Sequence, residues 1–283
     1  MHIPSRDDAW RVRMAHHDPV ITFVRPSATT PVSVTGTACA LDCAHCGGHY
    51  LEHMQPIDKV NPNGARSLLI SGGCDARGRV PVEGHREAIA KLRPGRRLNW
   101  HLGLVEPGDL DGLAPLVDTI SFDIVGDPAT AREVYGLDVT LDDYVDTLRL
   151  LKQVAPVVPH VTIGLHGGEI RGEAAALQAL ADEGVERVIL IVFIPTPGTR
   201  YAACQPPPLD PVSDLLAHAR CLLPEATLYL GCMRPHGRYR QQLDVRAVEY
   251  GLNLIVNPTR AAEEAAREAG LDVIWGDECC ALY

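Results

Sequence analysis

Alternation constrains this chain more than any other feature. From residue 31 onward, short runs rich in Val, Ile and Leu alternate with stretches whose apolar positions recur at helical spacing. The runs 31–36, 66–73, 98–104, 119–125, 160–166, 187–194, 227–232 and 253–257 read as strands. The segments 47–54, 83–93, 108–117, 140–154, 171–183, 211–223, 239–250 and 259–269 read as helices. The run 187–194 is apolar almost throughout, as a strand buried on both faces should be. Strand-then-helix repetition predicts a parallel sheet with helices outside, and eight such units suffice to close a barrel. The expected class is therefore α/β, a (β/α)8 TIM-type barrel over 31–270. Residues 1–30 carry mixed charge without a clear period and read as an N-terminal extension. Residues 271–283 read as a cysteine-containing tail with a short strand at 272–275. No linker or composition break divides the barrel, so one domain is expected.

The first strand runs straight into Cys39, Cys43 and Cys46, spaced Cys-x3-Cys-x2-Cys. Three thiolates on a loop leaving a strand hold three corners of an iron–sulfur cubane and leave the fourth iron without a protein ligand. A closed zinc site is the plainer alternative, with His45 or His49 as fourth ligand. A disulfide framework fits less well, because nine cysteines is an odd number and nothing at the N-terminus reads as a signal peptide. The cysteines instead point to a reducing cytoplasm. A formal charge of −10, with nothing denser in basic residues than 93–97, argues against a nucleic-acid surface. With aromatic content at 5%, base-stacking platforms are not expected. No apolar run approaches the roughly 20 residues of a membrane span.

The cysteine spacing resembles that of the radical S-adenosylmethionine (SAM) enzymes. In that family the open iron binds SAM, and reductive cleavage yields a 5′-deoxyadenosyl radical that abstracts hydrogen from a substrate. The resemblance implies a 4Fe-4S cluster on Cys39, Cys43 and Cys46, with SAM beside it. His45 stands where the family usually has an aromatic residue, and its ring would pack on the adenine side. The second strand ends in Gly72-Gly73-Cys74, similar to a Gly-Gly-Glu whose backbone meets the SAM amino group, with a thiol in place of the acid. Asp123 and His101 lie along the fourth and third strands, near the ribose or substrate or else as satisfied core groups. His166, with Glu169 nearby, would line the adenosine. The Pro197-Gly198-Thr199 segment resembles the biotin synthase and hydrogenase-maturation branch, whose proline-bounded loop packs on adenine.

Cys232 and Arg234 close the seventh strand, and Cys279 and Cys280 stand in the tail. By likeness to biotin synthase, with its second cluster inside the barrel, a tail folding over the mouth would let Cys74, Cys232, Cys279 and Cys280 bind a second 4Fe-4S cluster. Arg234 would meet a carboxylate or amide of the substrate. Cys204 and Cys221 are expected to pack or idle. Together, the stretch from Thr35 to Met54, the Pro-Gly-Thr loop and the Gly-Cys-Met-Arg-Pro strand end are most similar to one subunit of the split, two-protein lipoyl synthases. That likeness implies sulfur insertion into an octanoylated lipoyl carrier protein or peptide. It also implies a second radical SAM lipoyl synthase protein as partner and an electron donor such as ferredoxin or flavodoxin. Two rivals remain: a single-cluster radical SAM mutase or lyase on a small molecule, and a non-enzymatic iron–sulfur or zinc protein.

Overall fold

A computed structural model describes residues 4–283. Helix α1 (Arg6–His16) begins at Ser5, whose hydroxyl accepts the Asp8 N–H while the Asp8 carboxylate accepts the Ser5 N–H. Strands β1 (Val20–Val24), β2 (Thr29–Ser33), β3 (Gln55–Pro56) and β4 (Ser67–Ser71) follow, then α2 (Arg86–Leu92). The central run is β5 (Arg97–Leu102), β6 (Thr119–Asp123), α3 (Pro128–Tyr135), α4 (Leu141–Lys152), β7 (Val157–Ile163) and α5 (Glu173–Asp182). It continues through β8 (Arg187–Val192), α6 (Leu209–Leu222), β9 (Thr227–Leu230), α7 (Gly237–Glu249), β10 (Leu254–Val256), α8 (Arg260–Glu268) and β11 (Asp272–Gly276).

The eleven strands form one curled, all-parallel sheet in the order β11-β1-β10-β9-β8-β7-β6-β5-β4-β2-β3. Only residues 25–28 separate β1 from β2, far short of the crossover that side-by-side parallel strands need. The two strands therefore lie end to end. β1 is flanked by β10 and β11, and β2 by β4 and β3, so this one stretch carries both flanks of the barrel.

Two readings change here. Residues 1–30, expected as an extension, contain α1 and β1; residues 1–3 fall outside the described part. The reason is the apolar run Val20–Val24, which enters the sheet, while α1 packs on α6. The helix expected at 108–117 is two short 3-10 turns, Pro107–Leu110 and Ala114–Leu116. Pro107, Gly108, Gly112 and Pro115 interrupt any longer helix. The sequence pattern also passed over α3, whose start is marked by Asp127 accepting the Thr130 N–H before Pro128.

A parallel sheet needs apolar cover on both faces, and this one has two separate cores. The outer core joins the helices to residues such as Ile70, Trp100, Phe122, Leu177 and Leu216. The inner core gathers Val24, Val158, Ile189, Tyr229, Leu254 and Val256 around Cys280 and Ala281. Residues 277–283 thus run inside the barrel. They enter beside the start of β2, where Ala28 N–H donates to Asp277 O and Cys279 N–H donates to Thr29 Oγ1. Arg97 and Arg187, the first residues of β5 and β8, donate to the main-chain oxygens of Leu282 and Tyr283. The segment therefore plugs the amino ends of the strands and does not fold over the carboxyl mouth. Among the described residues, no helix is long and apolar enough to cross a membrane.

Arg234 is engaged in this frame. Its Nε donates to Asp244 Oδ1 at 2.7 Å, with both side chains fully buried, and its guanidinium also donates to the carbonyl of Gly231 at 2.7 Å. Asp244 Oδ2 accepts the Thr259 N–H, so the pair ties the end of β9 to α7 and to the start of α8. The expectation that Arg234 meets substrate is thereby corrected, since its charge is already spent on Asp244. Arg234→Met should lower unfolding stability by about 3–5 kcal/mol, the usual cost of orphaning a buried charge. Denaturant titration checks this; an unchanged midpoint would mean that the pair is dispensable.

Candidate functional site at the carboxyl mouth

The cysteine loop leaves the carboxyl end of β2 and is gripped on three sides. Ala40 N–H donates to Cys74 O at 2.7 Å, Ala44 N–H to Val134 O of α3 at 2.8 Å, and Tyr201 N–H to Ala44 O at 2.9 Å. Gly73 N–H donates to Thr35 Oγ1 at 2.7 Å, drawing the end of β4 against the loop. A side chain at Gly73 has no room: a Cβ there would stand 2.1 Å from Ala38 O and 2.6 Å from Cys39 Cβ. A Cβ at Gly72 would crowd Val34 and Thr35. Gly73 is thus required by close backbone approach. Pro197-Gly198-Thr199 also comes to the loop: Gly198 takes a left-handed φ of +82° against the His49 ring, and the Thr199 methyl packs on Gly47.

All nine cysteines are free thiols. Cys39 Sγ accepts the Cys74 N–H at 3.3 Å. Burial, then repulsion from Cys46, Cys39 and Cys74, pushes the Cys43 thiol up to about 12, and burial also raises Cys46. Three thiolates so close do not coexist at neutral pH without a cation among them, and cluster irons meet that requirement. Among the described residues, no three His, Cys, Asp or Glu side chains converge where a single ion would sit. A cubane takes its thiolates at separate corners, whereas a zinc ion would need its four donors around one point. The donor set fits the cluster.

His45 lies edge-on to Tyr135, with ring centroids 5.8 Å apart, and near Tyr50. Burial pushes it down to about 4, so it is neutral, and its Nδ1 is buried without a partner. Deeper, His101 Nε2 meets Asp123 Oδ2 at 3.2 Å, and the His160 ring stacks on His101 at 5.4 Å. Burial alone would depress His101, but the Asp123 carboxylate more than offsets it and raises it. Burial would raise Asp123, yet the charge and hydrogen bond of His101 hold it down to about 2. His160, pushed down to about 4 by burial and then by His101, has Nδ1 at 3.0 Å from Val158 O. Asp123 Oδ1 remains buried and unpartnered. His166 Nδ1 sits 3.2 Å from Thr130 Oγ1, and residues 167–168 pack on the 204–205 segment, with Cys204 against Gly167. Cys221 lies half-buried on α6.

Of the four cysteines expected to share a second cluster, Cys74 stands apart from the other three. Cys74 belongs to the mouth beside Cys39, whereas Cys279 and Cys280 enter from the amino ends of the strands. Cys232, just past β9, is near enough to Cys279 and Cys280 for their charges to act on one another. The division follows from β11, which pairs in parallel with β1 and so delivers the tail below the mouth. His160, Asn99 and Ser121 were missed in the sequence. The signal was present: each is polar inside an otherwise apolar strand, and His160 pairs in register with Asp123.

Comparison with known proteins comes down to fold. No protein-family model matches the sequence, and no curated protein matches it. HydG, a maturase of the FeFe-hydrogenase, superposes with a TM-score of 0.69 at 14% identity, over 95% of this chain and 67% of HydG. Methylornithine synthase (PylB) gives 0.63 at 13% identity, over 95% of this chain and 88% of that one. The barrel shares its fold with these two proteins. SuiB of Streptococcus suis, in a structure bound to S-adenosylmethionine, gives 0.51 at 14% identity over 79% of this chain and 52% of SuiB.

Two outcomes follow from the geometry. Gly73→Ala should release the cysteine loop, and bound iron after anaerobic reconstitution should fall several-fold with the barrel still folded by circular dichroism. Iron binding at the wild-type level would show that the close approach is not needed. The His101–Asp123 pair sets a pH window. The contribution of Asp123 is present above its unfolded value of about 3.9 and is lost as pH falls toward about 2; that of His101 is complete below about 6.5 and is lost above its raised value. The stability difference between wild type and His101→Gln should thus be largest between about pH 4 and 6.5 and shrink on either side, as read by denaturation across pH.

Proposed function

We propose that this chain is a radical SAM enzyme whose cluster is held by Cys39, Cys43 and Cys46, and that it inserts sulfur into a protein-bound octanoyl chain as one subunit of a two-protein lipoyl synthase. The observation that carries the enzyme class is the three-thiol loop at the carboxyl end of β2, pressed against the Gly72-Gly73 backbone in a barrel of radical SAM fold. When bound, the cluster and SAM supply a hydrogen-abstracting adenosyl radical.

The protein's own residues position and shield. Gly72 and Gly73 leave their backbone open beside Cys39. His45, Gly47 and Gly198 form an uncharged rim suited to adenine. Asp123 and His166 offer acceptor atoms on the barrel wall. Ile191, only partly buried, gives the lumen an apolar side chain, and Asn99, Ser121, His101 and His160 on β5–β7 give it a polar bank. Sulfur insertion draws its support from the motif likeness and from Cys232 and Cys279 inside the barrel. The carrier protein, the second subunit and a ferredoxin or flavodoxin donor belong to this proposal.

A single-cluster mutase or lyase is the second reading, favoured by the separation of Cys74 from Cys279 and Cys280. The test of the enzyme class is iron and sulfide content together with SAM cleavage after anaerobic reconstitution. About four irons per chain are expected, with reductant-dependent 5′-deoxyadenosine, and both should vanish when Cys39, Cys43 and Cys46 are changed to Ala. Iron retained by that variant at the wild-type level would place the cluster elsewhere.

A further inference from the structure

We propose that β11 is an interface strand, through which two copies of this chain join edge to edge. The two β11 strands pair antiparallel about a two-fold axis through Ile274. The inference is independent of the radical SAM reading.

The sheet has two edges, and they are finished differently. At one, β3 is only Gln55–Pro56, and Pro56 has no N–H to offer another strand. At the other, β11 runs for five residues in unbroken register with β1, without proline or lysine. Val273, Ile274 and Trp275 are exposed by 38%, 55% and 47%. Among the described residues, the other exposed large apolar side chains are Met14 and Tyr283, so the apolar surface is concentrated on this edge. An edge of this length and character invites another strand.

Hydrogen bonding fixes which backbone groups are left over. Asp272 N–H donates to Pro19 O, and Gly276 O accepts from Arg25 N–H, so residues 272 and 276 turn their backbone to β1. Strand alternation sends Ile274 the same way and turns the N–H and C=O of Val273 and Trp275 outward. A second β11 related by the two-fold axis sets Val273 of one copy opposite Trp275 of the other. Both residues then have the groups needed for a hydrogen-bonded antiparallel pair, while Ile274 faces Ile274 as the non-hydrogen-bonded pair between them. A shift by one residue would lose every bond. The side chains agree with this register. Val273 against Trp275 is a favourable β-branched–aromatic pair, and Asp272 lies opposite Gly276 instead of a second carboxylate. Trp275 is already held, edge-on to Phe23 with ring centroids 5.5 Å apart and with Arg25 Cζ 4.5 Å above its ring, so little ordering is lost on pairing. The same patch serves both copies, as a two-fold interface requires.

The test is sedimentation of the reconstituted full chain in reductant, over concentrations up to about 100 μM, where weak interfaces still assemble. The mass should rise from 30.7 kDa to twice that value. Ile274→Lys and Val273→Pro should each stay at the single-chain mass, with circular dichroism and bound iron unchanged, because β1 does not use the Val273 N–H. Under mild oxidation Ile274→Cys should link two copies of its own peptide, as read by mass spectrometry. Opposed Cα atoms of such a pair stand about 4.5 Å apart, within disulfide reach. Val273→Cys, facing Trp275, should not link to itself. A wild-type chain that stays monomeric throughout would overturn the proposal, as would a dimer that survives both Ile274→Lys and Val273→Pro. A dimer in which Ile274→Cys fails to link would overturn it as well.

Discussion

Everything in this molecule follows from a sheet whose strands all run one way. Such a sheet is wetted on neither face, so it needs two apolar covers. Helices supply the outer one. The inner one is closed by residues 277–283, which place Ala281 and Cys280 among Val158, Ile189 and Tyr229. Because β11 pairs with β1 and β1 continues end to end into β2, that segment is delivered to the amino ends of the strands. The opposite end is left open for chemistry.

The open end and the closed end are built from different materials. At the mouth, backbone approaches backbone: Gly73 against Cys39, Gly198 against His49, Gly47 against Thr199. These contacts leave little room for side chains and bring three thiols together at one loop. On the floor, buried side chains do the work, with Asn99, Ser121, Arg97 and Glu278 fixing the segment in place. Between them stand His101, Asp123 and His160, a charged pair with a neutral ring stacked on it.

The alternation of apolar runs was enough to read the eight strands from β2 through β4–β10, because parallel strands buried on both faces leave an almost unbroken apolar record. It was not enough for β1, since five residues, Val20–Val24, stand isolated in a charged setting and their partners lie at the far end of the chain. The helix expected at 108–117 failed on local chemistry that was legible, two prolines and two glycines in eleven residues from 107 to 117. The placement of Cys39, Cys43, Cys46, Gly72 and Gly73 together at the carboxyl ends of β2 and β4 was legible, because strand position carries it. That Cys74 stands at the mouth and Cys279–Cys280 at the floor was not legible, because no sequence pattern tells which end of a barrel a tail enters. Arg234 looked free because Asp244, its partner, sits ten residues on in the next helix.

The central claim is that the cysteine loop holds a cluster with one iron open to SAM. The most direct measurement is the electron paramagnetic resonance spectrum of the dithionite-reduced, reconstituted protein with and without SAM. The account predicts a reduced-cubane signal whose g values shift when SAM is added. A cubane signal unchanged at saturating SAM would contradict it.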